Sequence, residues 1–132
     1  MKWKIDSTRK KILDDESRYK VLVCGRRWGK TYFSMMWLMS QEIKPDERRW
    51  IIFPTYRQAK MVAWNVLKRI FRDTNAKINE SELSVTLKNN AKIELKGADK
   101  EDSLRGVSLN ACVLDEYAFM KPNVWEEIIY PS

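Results

Sequence analysis

The chain has 132 residues, 25 Lys and Arg against 18 Asp and Glu, two cysteines, no histidine and a net charge of +7. That length fits one small domain, and 44% hydrophobic residues allow a packed core. The lack of histidine excludes His triads, a His general base and Cys/His metal clusters, no apolar run approaches the ~20 residues of a membrane span, and the basic balance favours a polyanion partner, nucleic acid first.

The opening residues, Met1-Lys2-Trp3-Lys4-Ile5-Asp6, hold no apolar signal-peptide core. Residues 6–16 are mostly polar and read as a short surface helix capped by Asp6 or Ser7. Tyr19 to Cys24 is apolar on consecutive positions, which predicts a strand buried on both faces, as in a parallel sheet covered by helices. Cys24 and the later Cys112 both lie in such apolar runs. They read as core residues of a reducing compartment, not as a disulfide framework.

The stretch 24–31 follows, with Gly25-Arg26-Arg27-Trp28-Gly29-Lys30-Thr31 at its heart. A strand, a loop with two glycines ending Gly-Lys-Thr, and a helix suit binding of a nucleoside triphosphate. Backbone N–H groups of the loop cradle phosphate oxygens and the helix adds its positive end. Lys30 would reach the β- and γ-phosphates and the Thr31 hydroxyl would ligate Mg²⁺. The pattern G-x-x-x-x-G-K-[ST] places glycine at position 24, where this chain has cysteine, with glycine one place later.

Thr31 to Met39 is apolar almost all round and predicts a buried helix. Lys44-Pro45-Asp46 turns the chain, and Trp50 to Pro54 reads as a second buried strand. Thr55 and Gln58 form a capping-box pattern. Behind them Ala59, Val62, Ala63, Val66, Leu67 and Ile70 make one stripe at helical spacing. The opposite face carries Arg57, Lys60, Lys68, Arg69 and Arg72, a solvated face or a contact for DNA or a neighbouring subunit.

Residues 83–96 alternate apolar and polar about Asn89-Asn90, which predicts a β-hairpin. A polar loop from Gly97 to Gly106 precedes Ala111-Cys112-Val113-Leu114-Asp115-Glu116, an apolar strand ending in two carboxylates. A short helix starting at Pro122 or Asn123 completes the chain. In the order found, the Asp-Glu strand supplies the second half of a triphosphate site. Asp115 can meet Mg²⁺, directly or through water, and Glu116 can deprotonate the attacking water. The γ-phosphate also calls for an arginine. Arg26, Arg27 and Arg105 are the candidates, and spacing alone does not choose among them.

Four motifs together carry a family resemblance. Gly25 to Thr31, Pro54-Thr55-Tyr56-Arg57-Gln58-Ala59-Lys60, Leu104-Arg105-Gly106 and Val113-Leu114-Asp115-Glu116-Tyr117-Ala118 resemble, in order and spacing, the large terminase subunit of tailed bacteriophages. The resemblance implies an α/β fold: a parallel P-loop NTPase sheet of the ASCE type flanked by helices, with a β-hairpin insertion near 83–96. It accommodates Cys24, because the family uses a deviant loop containing basic residues. It implies ATP and Mg²⁺ as ligands, with Gly25, Arg26, Arg27, Trp28, Gly29, Lys30 and Thr31 around the nucleotide and Thr31 and Asp115 at the metal. Glu116 would be the catalytic acid, Arg26 the loop arginine acting in its own subunit, and Arg105 the arginine offered to the neighbour's ATP. The family glutamine that reads adenine has no counterpart in residues 7–16.

The implied partners are double-stranded DNA, a homo-oligomeric ring, the portal protein and a small terminase subunit, with no membrane. The implied location is the host cytoplasm and transiently the procapsid portal. Residues 1–132 would be a single partial ATPase domain (strand 19–24, loop 24–31, Asp-Glu strand 111–116) without the coupling motif, lid and nuclease of full-length members. The sheet is then expected to be incomplete at its C-terminal end, with unpaired backbone beside Val21–Val23 and Val113–Leu114, and the isolated chain weak or inactive in turnover. A helicase-type translocase, or a module that binds nucleotide without turning it over, are the competing readings. Against the helicase stands Tyr117-Ala118 after the Asp-Glu pair.

Overall fold

The computed structural model describes residues 7–21, 29–40 and 42–130. The run Arg48-Arg49-Trp50-Ile51-Ile52-Phe53 forms β1 (Arg48–Phe53). It lies between β4 (Lys92–Gly97) and β5 (Ala111–Leu114), parallel to both. Two short antiparallel strands, β2 (Lys77–Asn79) and β3 (Ser84–Thr86), extend the sheet beyond β4 in the order β2-β3-β4-β1-β5.

Side chains alternate across this sheet as the pleat requires. Ile51 and Phe53 on β1, Ile93 and Leu95 on β4 and Val85 on β3 pack on one face against two helices. The first is α2 (Lys30–Met39), following the peripheral α1 (Ser7–Asp14). The second is a long helix, α3, over residues 56–70. The other face uses Trp50 and Ile52 with Leu104, Met120, Val124, Ile128 and Ile129. Most of that cover comes from a π-helical segment, Val124–Ile129. A strand buried on both faces reads as a continuous apolar run, and β1 does.

Thr55 caps α3 as expected, its hydroxyl accepting from the Gln58 N–H at 3.1 Å. The reciprocal bond differs: the Thr55 hydroxyl donates to Gln58 Oε1 at 3.2 Å, so the pair closes through side chains. The middle of α3, Ala59–Trp64, is π-helical between α-helical ends Tyr56–Gln58 and Asn65–Ile70. This shift overturns part of the expected stripe. Ala59, Ala63 and Leu67 are buried, but Val62 is 49% exposed and Trp64 takes its place in the core. The wider turn advances the buried face by about one residue. Trp64 also donates its indole N–H to Glu80 Oε2 at 2.6 Å. That bond, then the Lys68 ammonium, holds the Glu80 carboxyl below its usual range.

The hairpin forms about a tight turn, with Asn90 in the left-handed region at φ 71°. Its second strand is β4, which also pairs along β1 for its whole length, so the hairpin is fused into the central sheet. Tyr19–Val21 departs from the strand expected over 19–24: these residues are outside regular structure and Val21 is 90% exposed. The Tyr19 ring instead meets Trp125 edge-on at 5.3 Å and Tyr130 at 6.0 Å, and the Lys20 ammonium lies over Trp37. Residues 22–24 of that expected strand lie outside the described residues. Among the described residues β5 pairs on its β1 side alone.

Gly97, the last residue of β4, brings the sheet against the start of α3. The Asp99 carboxylate accepts from the Tyr56 N–H at 2.9 Å there. A Cβ at Gly97 would collide with Tyr56 backbone and with that carboxylate. Backbone cannot yield as a flexible side chain does. Gly97→Ala is therefore expected to lower stability by about 1–3 kcal/mol. Urea unfolding checks this, and an unchanged midpoint would refute the close approach.

Candidate active site

The site is assembled where β5 ends and α2 begins. Gly29 precedes α2 in the left-handed conformation, φ 77°, which glycine adopts without steric cost. Lys30 and Thr31 then form the first turn of the helix. Phe33, Met35, Met36 and Leu38 bury one side of it, whereas Tyr32 is 52% exposed, so the helix is less enclosed than its composition implies.

β5 ends at Leu114, and Asp115 and Glu116 follow in a turn. The Asp115 N–H still donates to Ile52 O at 2.9 Å, which keeps its backbone in register with β1. Its carboxylate is buried, and Oδ2 accepts the Thr31 hydroxyl at 2.8 Å. Lys30 Nζ stands 3.8 Å from Asp115 Oδ1 and 3.4 Å from Glu116 Oε1. Residues more than eighty positions apart thus converge into one cation, two carboxylates and a hydroxyl.

Glu116 has φ 55° and ψ 44°, a left-handed conformation in a residue that bears a Cβ. This costs roughly 1–2 kcal/mol relative to right-handed backbone and is commonest at functional turns. Its side chain is partly exposed while that of Asp115 is not. One carboxylate is therefore held inside and the other is open to solvent.

The donor set fits the ligands implied by the sequence. A hydroxyl and a buried carboxylate within hydrogen-bond reach of one another are hard oxygen donors of the kind Mg²⁺ takes. An ammonium group beside them suits phosphate oxygens. Gly25, Arg26, Arg27 and Trp28 lie outside the described residues. Arg105 takes no part in the contacts that join these four residues. Its NH2 is 3.9 Å from Glu101 Oε2, and Glu101 Oε1 accepts from Asn123 Nδ2 at 3.2 Å. Gly106 beside it turns the chain at φ 72°. Cys112 on β5 is a half-buried free thiol packed against the Trp50 and Ile52 cluster, and burial pushes its pKa up to about 12.

Sequence reasoning missed Arg49, which donates to Leu38 O in the last turn of α2 and to Glu42 O just beyond it. The available signal was a charged residue directly before an apolar run destined for the sheet centre.

Comparisons with known proteins show the family. The sequence profile of the family described as "Terminase large subunit, T4likevirus-type, N-terminal" matches residues 21–126. The chain belongs to the large terminase subunit family. The large terminase subunits of Thermus phage G20c and Thermus virus P23-45 are each 28% identical to it over 137 residues, covering 88% of this chain. The chain spans 28% of the length of these curated relatives. The solved ATPase domain of the Thermus phage P74-26 large terminase superposes with a TM-score of 0.79 at 25% identity. It covers 98% of this terminase chain and 60% of that domain. The fold is that of a phage large terminase ATPase domain, in agreement with the P-loop architecture expected.

The left-handed turn of the terminase chain is directly testable. Glu116→Gly and Glu116→Ala both remove the carboxylate, but the glycine alone relieves the backbone. The glycine variant is expected to be more stable by about 1 kcal/mol. Equal denaturation midpoints would place residue 116 in ordinary backbone.

Proposed function

We propose that this chain is the ATP-hydrolysing part of a DNA-packaging terminase. The observation that carries the reading is the convergence of Lys30 and Thr31 with Asp115 and Glu116 at the end of β5. Membership of the terminase family supports the packaging role over the helicase-type alternative.

In this reading Lys30 exchanges its carboxylate partners for β- and γ-phosphate oxygens. Thr31 and Asp115 hold Mg²⁺, which when bound disperses charge on the triphosphate. Glu116, at the exposed end of the pair, accepts the proton of the attacking water. Gly25 to Gly29 supply backbone N–H groups to the phosphates, and Arg26 meets the γ-phosphate from the same subunit. Arg105 is offered from a loop to the neighbouring subunit's nucleotide. Its half-exposed guanidinium and single long ion pair support that role. Working partners are duplex DNA, a ring of like subunits, the portal and a small subunit, at the procapsid within the host cytoplasm.

The outer face of α3 supports a DNA contact. Arg57, Lys60, Arg69 and Arg72 are exposed and form no ion pair among the described residues, whereas Lys68 pairs with Glu80 at 2.9 Å. Three unpaired cations along α3 and a fourth, Arg72, just past its end match the spaced charges of a phosphate backbone.

Two measurements test this reading. Binding of a fluorescent ATP analogue with Mg²⁺ is expected to be lost in Lys30→Ala and kept in Glu116→Gln, while Glu116→Gln abolishes phosphate release in any form of the protein that turns over. Unchanged affinity in Lys30→Ala would remove the loop from the site. For DNA, neutralising Arg69 and Arg72 together is expected to weaken duplex binding equally across sequences and to lower the salt slope by about two. An unchanged slope would assign the DNA contact to another face.

A further inference from the structure

We propose that Arg49 is a positioning residue for the phosphate-binding end of α2, acting from the far end of that helix. The proposal rests on the nucleotide reading of Lys30 and Thr31.

Arg49 is 5% exposed and lies on the β1 face that meets α2. Its Nε and NH2 both donate to Glu47 Oε2, at 3.0 and 2.7 Å. NH1 donates to Leu38 O, and NH2 also donates to Glu42 O at 3.0 Å. One guanidinium therefore joins a half-buried carboxylate to a terminal carbonyl of α2, Leu38 O, and to the Glu42 carbonyl in the segment beyond it.

That end needs such a partner. The last carbonyls of a helix have no intrahelical donors and carry the negative end of its dipole. α2 has no basic residue in its last turn, and the Ser40 N–H and hydroxyl both serve Trp37 O. The cation comes instead from β1. The Glu47 carbonyl in turn accepts from the Lys92 N–H at 2.8 Å, so the pair is also tied to β4. Lysine is not equivalent to this fork: Arg49 makes four hydrogen bonds from three nitrogens of one planar group, whereas an ammonium is a single point charge.

α2 is consequently pinned at both ends. Thr31 fixes its start to Asp115 beside β5, and Arg49 fixes its end to β1. Seven residues separate Thr31 from Leu38, which places these pins about 10 Å apart. A helix this short in a close-packed core moves as a rod. Slippage at the Arg49 end is delivered to Lys30 and Thr31, where a displacement of about 1 Å is enough to matter.

The test compares Arg49→Met and Arg49→Lys with Val85→Ala, a change on β3 in the same hydrophobic cluster as α2 that leaves the guanidinium fork intact. Mant-ADP affinity with Mg²⁺ and hydrogen exchange of the Phe33–Leu38 amides are read at temperatures where each variant is folded. Arg49→Met is expected to weaken mant-ADP binding at least tenfold and to speed α2 exchange by a similar factor. Arg49→Lys is expected to recover part of both, and Val85→Ala to stay within twofold of the parent. If Arg49→Met does not fold, Glu47→Gln loosens the same fork and is expected to shift both readouts about threefold. Parent-like behaviour of the Arg49 variants, or equal effects from Val85→Ala, would overturn the proposal. Failure of the nucleotide reading shows differently: Lys30→Ala would bind mant-ADP as the parent does, while the exchange of α2 would still report on Arg49.

Discussion

The structure depends on one junction between distant parts of the chain, the hydrogen bond from the Thr31 hydroxyl to the Asp115 carboxylate. Asp115 is buried, and a buried carboxylate must be matched by donors or a cation. Thr31 provides the donor and Lys30 the charge. The junction therefore fixes α2 against β5 and also places the four polar groups of the site together. Stability and chemistry are served by the same contacts, so the polar groups that the site needs are not an added burden on the core.

β1 makes this arrangement possible. It is buried on both faces and paired on both edges, and both β5, which carries the candidate site, and the hairpin strand β4 take their register from it. Its end sets the height at which Asp115 leaves the sheet, through the hydrogen bond from the Asp115 N–H to Ile52 O. Its start carries Arg49, which receives the end of α2. Sheet and α2 are thus referenced to a single strand.

Much of this was legible in the sequence. Consecutive apolar residues marked β1 and β5, the Gly-Lys-Thr loop and the Asp-Glu ending marked the site, and Asn89-Asn90 marked the hairpin. What escaped was non-local. The π-helical turn that brings Trp64 inward and turns Val62 outward arises from packing, since Val62 fits an α-helical stripe equally well. β4 alternates like a half-exposed strand because Lys92, Glu94 and Lys96 line its second face, yet it pairs in the middle of the sheet. Glu94 is buried there by the Trp50 indole and by flanking cations, a neighbourhood no spacing rule describes. Tyr19 looked like the start of a strand, but its ring finds Trp125 and Tyr130 instead.

The π-helical turn in α3 has a consequence for how this family can vary. Successive residues of an α-helix are set about 100° apart. The turn acts as a phase adjuster between the two halves of α3. Arg57 belongs to the first half, Lys60 to the turn itself and Arg69 to the second half, with Arg72 just beyond it. A π turn holds one residue more than the α turn it replaces, so removing Met61 would return the segment to α-helix and keep the two ends in phase. The extra residue instead serves the core, where Ala63 and Trp64 are both buried. A relative lacking that residue would therefore keep its cationic edge while repacking the core at Trp64.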